Sequence, residues 1–423
     1  VNLMSKTILN QPAARGLATM FFTTFLAACG GGGGGADSAL TLTGTPTPAG
    51  QQTQNSPSTP QSASQQPAAN SATSAANAPA NLGPQARFNS PDGITVAPSG
   101  DVYVVDAGNA TIRRIAPSGR ITTIAGSPGV TGSADGNGSA ASFNAPAGIA
   151  ADRAGNLYVA DTGNNTIRKI TPSGATITFA GTPGVAGSTD GAGTTASFNQ
   201  PSGVATDAAG NVYVADTRNY AIRRITPSGT VTTIAGTKGA RGTADGGSTA
   251  SFLGPRAITV DGAGNLYVTD TFFIPSPIFS RDMSTIRRVS PDGTVTTLAG
   301  QPTSGGGVTD TDGTGSQARF YNASGITTNT DGSIVYVADT SNQKIRRMTA
   351  GGVVDTLPVT LSDGTAARFT YPRGIALDGS GNLYVADTGN HVIRRIAPDG
   401  SSVIVAGREG EQGSNDRGGD SPL

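Results

Sequence analysis

Residues 382–396 read NLYVADTGNHVIRRI, and the segment returns in five further copies beginning at Asp101, Asn156, Asn211, Asn265 and Ser333. Each copy keeps a Tyr-Val pair, an Asp three residues after the Tyr, and an Ile-Arg pair further on. The tyrosines Tyr103, Tyr158, Tyr213, Tyr267, Tyr336 and Tyr384 are spaced 55, 55, 54, 69 and 48 residues apart. Recurrence on this scale defines a repeat architecture, in which each unit is too small to bury its apolar faces alone and must pack on its neighbours. Six units in 423 residues therefore argue for one repeat domain.

Within the second copy four short β-signals follow one another, at residues 148–151, 157–160, 166–170 and 176–180. Tight turns separate them: Asp152-Arg153-Ala154-Gly155-Asn156 and Thr171-Pro172-Ser173-Gly174 carry residues that supply fixed or positive φ. The second strand is apolar on both faces, with Leu157 and Val159 on one and Tyr158 and Ala160 on the other, so it is covered on both sides. Composition agrees, since 61 Gly and 26 Pro with only two glutamates, Glu409 and Glu411, suit turns and strands. The expected fold is all-β, a six-bladed propeller of four-stranded antiparallel blades.

The pattern P-x-G-I-x-x-D-x-x-G-N-L-Y-V-A-D-T-G-N-H-x-I-R resembles the NHL repeat family, whose Asn-His-Leu stands here as Asn390-His391-Val392. The resemblance covers about residues 85–407 in all six copies. Blade 5 departs most, with Asn322-Ala323-Ser324-Gly325 where Pro is expected, and an irregular first strand is expected there. Between repeats a long loop ends in A-x-F, as in Ala141-Ser142-Phe143. The tail resembles the front half of that loop, with Gly413-Ser414-Asn415-Asp416 matching Gly132-Ser133-Ala134-Asp135. The ring is therefore expected to close by the tail meeting residues 85–88, without a strand exchanged between termini.

The N-terminus reads as an address. Residues 1–16 carry Lys6 and Arg15 and no acidic residue, and residues 17–28 form an apolar run of signal-peptide length, too short for a permanent span. The run ends in Leu26-Ala27-Ala28-Cys29, which resembles a bacterial lipobox and implies lipidation of Cys29, the only cysteine. By resemblance to Gram-negative lipoproteins, Gly30 after the cysteine implies the outer membrane, with either leaflet open. A Gly, Ala, Pro, Ser, Thr, Gln and Asn tract then runs to about residue 82. It cannot bury a core, and as a coil it reaches about 40 Å. The expected organisation is a signal peptide over 1–28, a lipid-anchored linker over 29–82 and a propeller over 83–423.

Lys+Arg and Asp+Glu both number 28, which gives no electrostatic case for nucleic acid. The repeated Asp106, Asp161, Asp216, Asp270, Asp339 and Asp387 lie on a circle off the axis and do not converge on a metal. They are read as acceptors of backbone N–H groups in the second turn, with Arg113, Arg168, Arg223, Arg287, Arg346 and Arg394 meeting these carboxylates or neighbouring carbonyls within the blade stack. His391 is the only histidine, too few for a His-ligated metal or a Ser-His-Asp triad. No metal, cofactor or catalytic residue is assigned.

Two features point to binding on one face. Loops joining second to third strands and blade to blade share a side of the disc. There blade 4 inserts residues 272–281, with Phe272, Phe273, Ile274, Ile278, Phe279 and Arg281, an apolar Pro-stiffened candidate docking loop. On the same side the residue before the first-strand Gly or Ala recurs once per blade at the channel mouth: Asp92, Ala147, Ser202, Arg256, Ser324 and Arg373. Arg256 is expected opposite Asp92 with Arg373 beside it, an arrangement suited to a carboxylate or other anion. The expected function is a lipid-anchored envelope module recognising a protein, peptide or glycan. The alternative is a hydrolase or lyase, as in lactonase-like propellers, using a metal held by Asp and Asn alone.

Overall fold

The computed structural model describes residues 86–271, 283–302 and 310–416. The lipobox with Cys29, the linker and the 272–281 insertion lie outside the described residues. Six antiparallel sheets are arranged as the blades of a propeller. The strands of blade 1 are Pro91–Val96, Val102–Asp106, Thr111–Ile115 and Ile121–Ala125, in sequential order from the axis outward. Blades 2, 3 and 4 begin at the inner strands Pro146–Ala151, Pro201–Thr206 and Pro255–Val260, and blades 5 and 6 at Ala323–Thr328 and Pro372–Leu377. The inner strands neighbour one another in sequence order, and that of blade 6 packs beside that of blade 1.

The core is six separate layers. One hydrophobic cluster lies between each adjacent pair of blades, such as Tyr158, Ile167 and Ala180 of blade 2 against Val204, Val214 and Ile225 of blade 3. This is why the second strand is apolar on both faces: each face belongs to a different layer. The phenylalanine of every A-x-F is buried in the same layers, from Phe88 to Phe369.

Blades 2, 3 and 5 gain a fifth, two-residue strand that the preceding loop lays on the outer edge: Gly136–Asn137, Gly191–Ala192 and Gly313–Thr314. Four strands per blade is thus the minimum, and the extra pairing blunts an otherwise open edge. The inner strand of blade 5 is not unusual. It has the same register shift near its start as the other five, between Ala323 and Ile326, and Ala323 takes the place of Pro without breaking the pattern.

Closure follows the expected route. Each of the terminal blades is built from its own four consecutive strands. Phe88 bridges Gln412 in parallel, as Phe143 bridges Thr131 and Phe198 bridges Ala186 between internal blades. Gly413 N–H donates to the Phe88 carbonyl at 2.9 Å, and Arg87 N–H to that of Asn415 at 3.2 Å.

Candidate binding site at the channel mouth

Three motifs of the repeat build the frame. In the first, the aspartate of Y-V-x-D is wholly buried in every blade. Asp161 is typical: it accepts the Asn144 N–H at 2.7 Å, the Asn164 amide at 2.8 Å and Arg168 Nη1 at 2.8 Å. The backbone donor is the residue after A-x-F, not the second turn itself, which corrects the expectation. The turn contributes its Asn side chain instead. Arg168 also donates to the Ser142 and Ala134 carbonyls, pairs with Asp135 at 2.8 Å and lies over the Phe143 ring, 5.2 Å from its centroid. Each such cluster therefore ties two strands to the incoming loop. Burial pushes these carboxyls up, against the donors around them; Asp339 reaches about 6.

The second motif is the Thr of D-T-G-N, whose role the repeat pattern alone does not disclose. Its hydroxyl donates to the carbonyl of the residue that opens the next blade: Thr162 to Pro201, Thr217 to Pro255, Thr340 to Pro372, each at 2.7 Å. Thr388 does the same to Pro91 at 2.6 Å, so the belt crosses the seam. His391 adds a second contact there, its Nδ1 accepting the Ser90 N–H at 3.1 Å.

The third motif is the first-strand glycine. A Cβ on Gly93, Gly148, Gly203, Gly325 or Gly374 would collide with the carbonyl of the mouth residue in the next blade, respectively Ala147, Ser202, Arg256, Arg373 and Asp92. Only a residue without Cβ allows backbones to meet so closely round the axis. Blade 4 differs, with Ala257. There Thr269, where other blades carry Ala or Val, fills the gap, accepting the Ala257 N–H at 3.0 Å and donating to the Ser324 carbonyl at 2.9 Å.

This packing brings the six expected mouth residues together. Asp92, Ala147, Ser202, Arg256, Ser324 and Arg373, with the two residues after each, line one cavity of about 170 Å³. Arg373 does lie beside Asp92, and it pairs with it: Nη1 to Oδ2 is 2.9 Å, with the side chains 39% and 22% exposed. Arg256, three blades round from Asp92, donates from Nη1 to the Asn322 amide oxygen at 2.6 Å. Ser202 and Ser324 each reach the next blade, Ser202 donating to the Arg256 carbonyl at 2.6 Å and Ser324 to the Arg373 carbonyl at 3.4 Å. The mouth is therefore polar, with opposite charges already paired on one side.

Sequence reasoning missed a second ring. The residue just before the inner strand is Ser90, Ala145, Gln200, Gly254, Asn322 or Tyr371, and all but Gly254 have positive φ. The members of this ring make different contacts: Asn322 accepts from Arg256, the mouth residue of the blade before it, and Gln200 accepts from Arg218 of its own blade. The signal was variation at a constant position, as for the inner ring. The docking-loop residues Phe272, Phe273, Ile274, Ile278, Phe279 and Arg281 lie outside the described residues. The strands that flank them, with Thr271 opposite Ser284, end on this same face.

Lactonase-like propellers would use a divalent cation near the axis, and the donor set at this mouth does not fit one. Its lining offers a single carboxylate, Asp92, already engaged by Arg373, and no His or Glu. Among the described residues no group of three or more His, Cys, Asp or Glu side chains could hold a metal. No helix among the described residues is long and apolar enough to cross a membrane.

Comparison with known proteins divides the ring in half. The NHL repeat family matches residues 88–115, 143–170 and 198–225, and the SMP-30/Gluconolactonase/LRE-like region matches 258–406. The fold is a six-bladed β-propeller, and three of its blades match the NHL repeat. The chain is 29% identical over 325 residues to NHL repeat-containing protein 2 of Homo sapiens, covering 69% of this chain and 44% of that protein. The Gallus gallus protein of the same name is 29% identical over 345 residues, covering 72% and 46%. The chain thus spans less than half the length of these relatives. Among solved structures it is similar to a Bacteroides thetaiotaomicron protein of unknown function, with 19% identity, a TM-score of 0.52 and coverage of 74% of this chain and 70% of that one. An auxiliary nutrient binding protein from Bacteroides ovatus has 17% identity, a TM-score of 0.51 and coverage of 74% and 71%. At these identities the likeness is one of fold.

Proposed function

We propose that this chain is a lipid-anchored module of the cell envelope that recognises the end of a protein, peptide or glycan at its channel mouth, without catalysis of its own. The observation that carries the reading is the contrast at the axis. The backbone repeats round the ring, with the glycine kept in five blades and the threonine in five, while the residue each blade presents to the mouth changes among Asp, Ala, Ser and Arg. Structure alone would be served as well by six equal residues; a pocket needs unequal ones. At about 170 Å³ the cavity is smaller than the ~300–1,000 Å³ typical of sites that enclose a whole small molecule. It suits a terminal group, with the remainder of the ligand on the loop-rich rim. A nutrient-binding role borne by a propeller of the same fold is in keeping with this reading.

Two experiments test its two halves. Substituting Cys29→Ser should move the protein from the membrane to the soluble fraction of lysed cells; unchanged membrane association would remove the anchor. For the mouth, calorimetry on the full chain would use a probe panel: hexamers of α-1,4-glucan, β-1,4-glucan, β-1,4-mannan and galacturonate, and hexaglutamate. At least one probe should bind, and Arg256→Ala with Arg373→Ala should weaken it by about tenfold or more. If no probe binds, the mouth is not the site.

A further inference from the structure

The rim and the mouth are most unlike the other blades at the junction of blade 6 with blade 1. Tyr371 stands two residues before Arg373, on the outer ring of the loop-rich face. It is 52% exposed and is the aromatic residue among the large exposed hydrophobic side chains of the described protein. Its φ is +49°, a left-handed conformation that a bulky side chain adopts only at a steric cost and that the surrounding structure must enforce. At the corresponding position of blade 5, Asn322 accepts a hydrogen bond from the mouth residue Arg256 of the preceding blade, so a side chain there stands within reach of a mouth arginine. Beside it on the inner ring, Arg373 and Asp92 form an ion pair that remains partly open to solvent.

We infer that Tyr371, Arg373 and Asp92 form a subsite for a neutral sugar ring, at the end of a glycan. This rests on the reading of the channel mouth as a binding site and names its ligand class. An aromatic face left in water offers an apolar platform, which matches the C–H face of a pyranose. The ion pair supplies guanidinium donors and carboxylate acceptors side by side, the combination needed by adjacent hydroxyls that both donate and accept. Because Asp92 already balances Arg373, an added carboxylate would have to compete with it, whereas a hydroxyl pair can join both partners. A net-neutral, hydroxyl-rich ligand therefore fits this sector better than an anion.

The same calorimetric panel, run on the full chain and on Tyr371→Ala, Tyr371→Phe and Asp92→Asn, decides the matter. At least one neutral hexamer should bind the unaltered protein. Tyr371→Ala should weaken it about tenfold or more, Tyr371→Phe should keep affinity within about threefold, and Asp92→Asn should weaken it. Circular dichroism should show the exposed Tyr371 variants folded like the parent. A neutral hexamer that binds Tyr371→Ala unchanged would overturn the subsite. So would binding confined to galacturonate or hexaglutamate and dependent on Arg256 and Arg373, which would leave the broader reading of the mouth intact. Silence from every probe would overturn both.

Discussion

Asp339 shows how a single buried carboxylate of the repeat behaves. Burial pushes its carboxyl up to about 6, opposed by the Asn342 amide, the Tyr321 N–H and Arg346. A folded-state value above the ordinary 3.8 means that the native protein holds this proton more tightly than the unfolded chain. The resulting contribution to stability is complete below the unfolded value and is lost as pH rises through about 6. Asp339→Asn cannot titrate, so its stability deficit relative to the parent should be largest near pH 4 and shrink toward about pH 7.5. Urea unfolding of both proteins across that range measures it; a deficit that grows with pH would contradict the assignment. The Asp-Arg pairing was legible from recurrence alone. The third partner, the N–H after A-x-F, was not, because it lies 18 residues away from Asp339 in sequence.

At the scale of strands and blades, the closest approaches are backbone to backbone. Gly203→Ala should cost about 1–3 kcal/mol, since its Cβ would meet the Arg256 carbonyl of the next blade and neither backbone can yield cheaply. Blade 4 already contains the natural version of that change. Ala257 N–H donates to the Thr269 hydroxyl, which in turn donates to the Ser324 carbonyl of blade 5, so they are one adaptation made of two residues. A double-mutant cycle with Ala257→Gly and Thr269→Ala should give a coupling of about 0.5–3 kcal/mol in denaturation experiments. Additive effects would show that the two substitutions are independent. In sequence Ala257 is one small residue for another and Thr269 one conservative change in a strand. Their relation appears only when blade 5 is placed against blade 4.

For the molecule as a whole, closure depends on a segment that imitates an inter-blade loop. Arg113 of blade 1 pairs with Asp416 at 2.9 Å and with the Asn415 carbonyl at 2.8 Å, as Arg168 pairs with Asp135 and the Ala134 carbonyl. Asp416 also accepts the Thr123 N–H and hydroxyl. Thr388 and His391 of blade 6 hold the inner end of the same seam. Asp416→Ala should cost about 1 kcal/mol, because its carboxylate is partly solvated. Ending the chain after Gly410 should lower the unfolding midpoint well beyond that, since it also removes the parallel bridge and the Gly413 contacts. Equal midpoints for truncated and parent proteins would mean that blades 6 and 1 close without the tail.

The sequence by itself determined what repeats: the blade count, the order of strands, the buried Asp-Arg units, the tail as closing segment and the six mouth positions. All of these follow from period and pattern, because equivalent residues in equivalent blades meet equivalent surroundings. Only the tertiary structure decided what depends on the gap between blades. Which hydroxyl spans to the next carbonyl, why blade 4 tolerates Ala257, which mouth charges pair and what the outer ring overlooks are set by distances between chains far apart in sequence. A repeat pattern holds no term for those distances. They arise when six layers of apolar side chains pack to full density and bring the inner strands as near to one another as glycine allows.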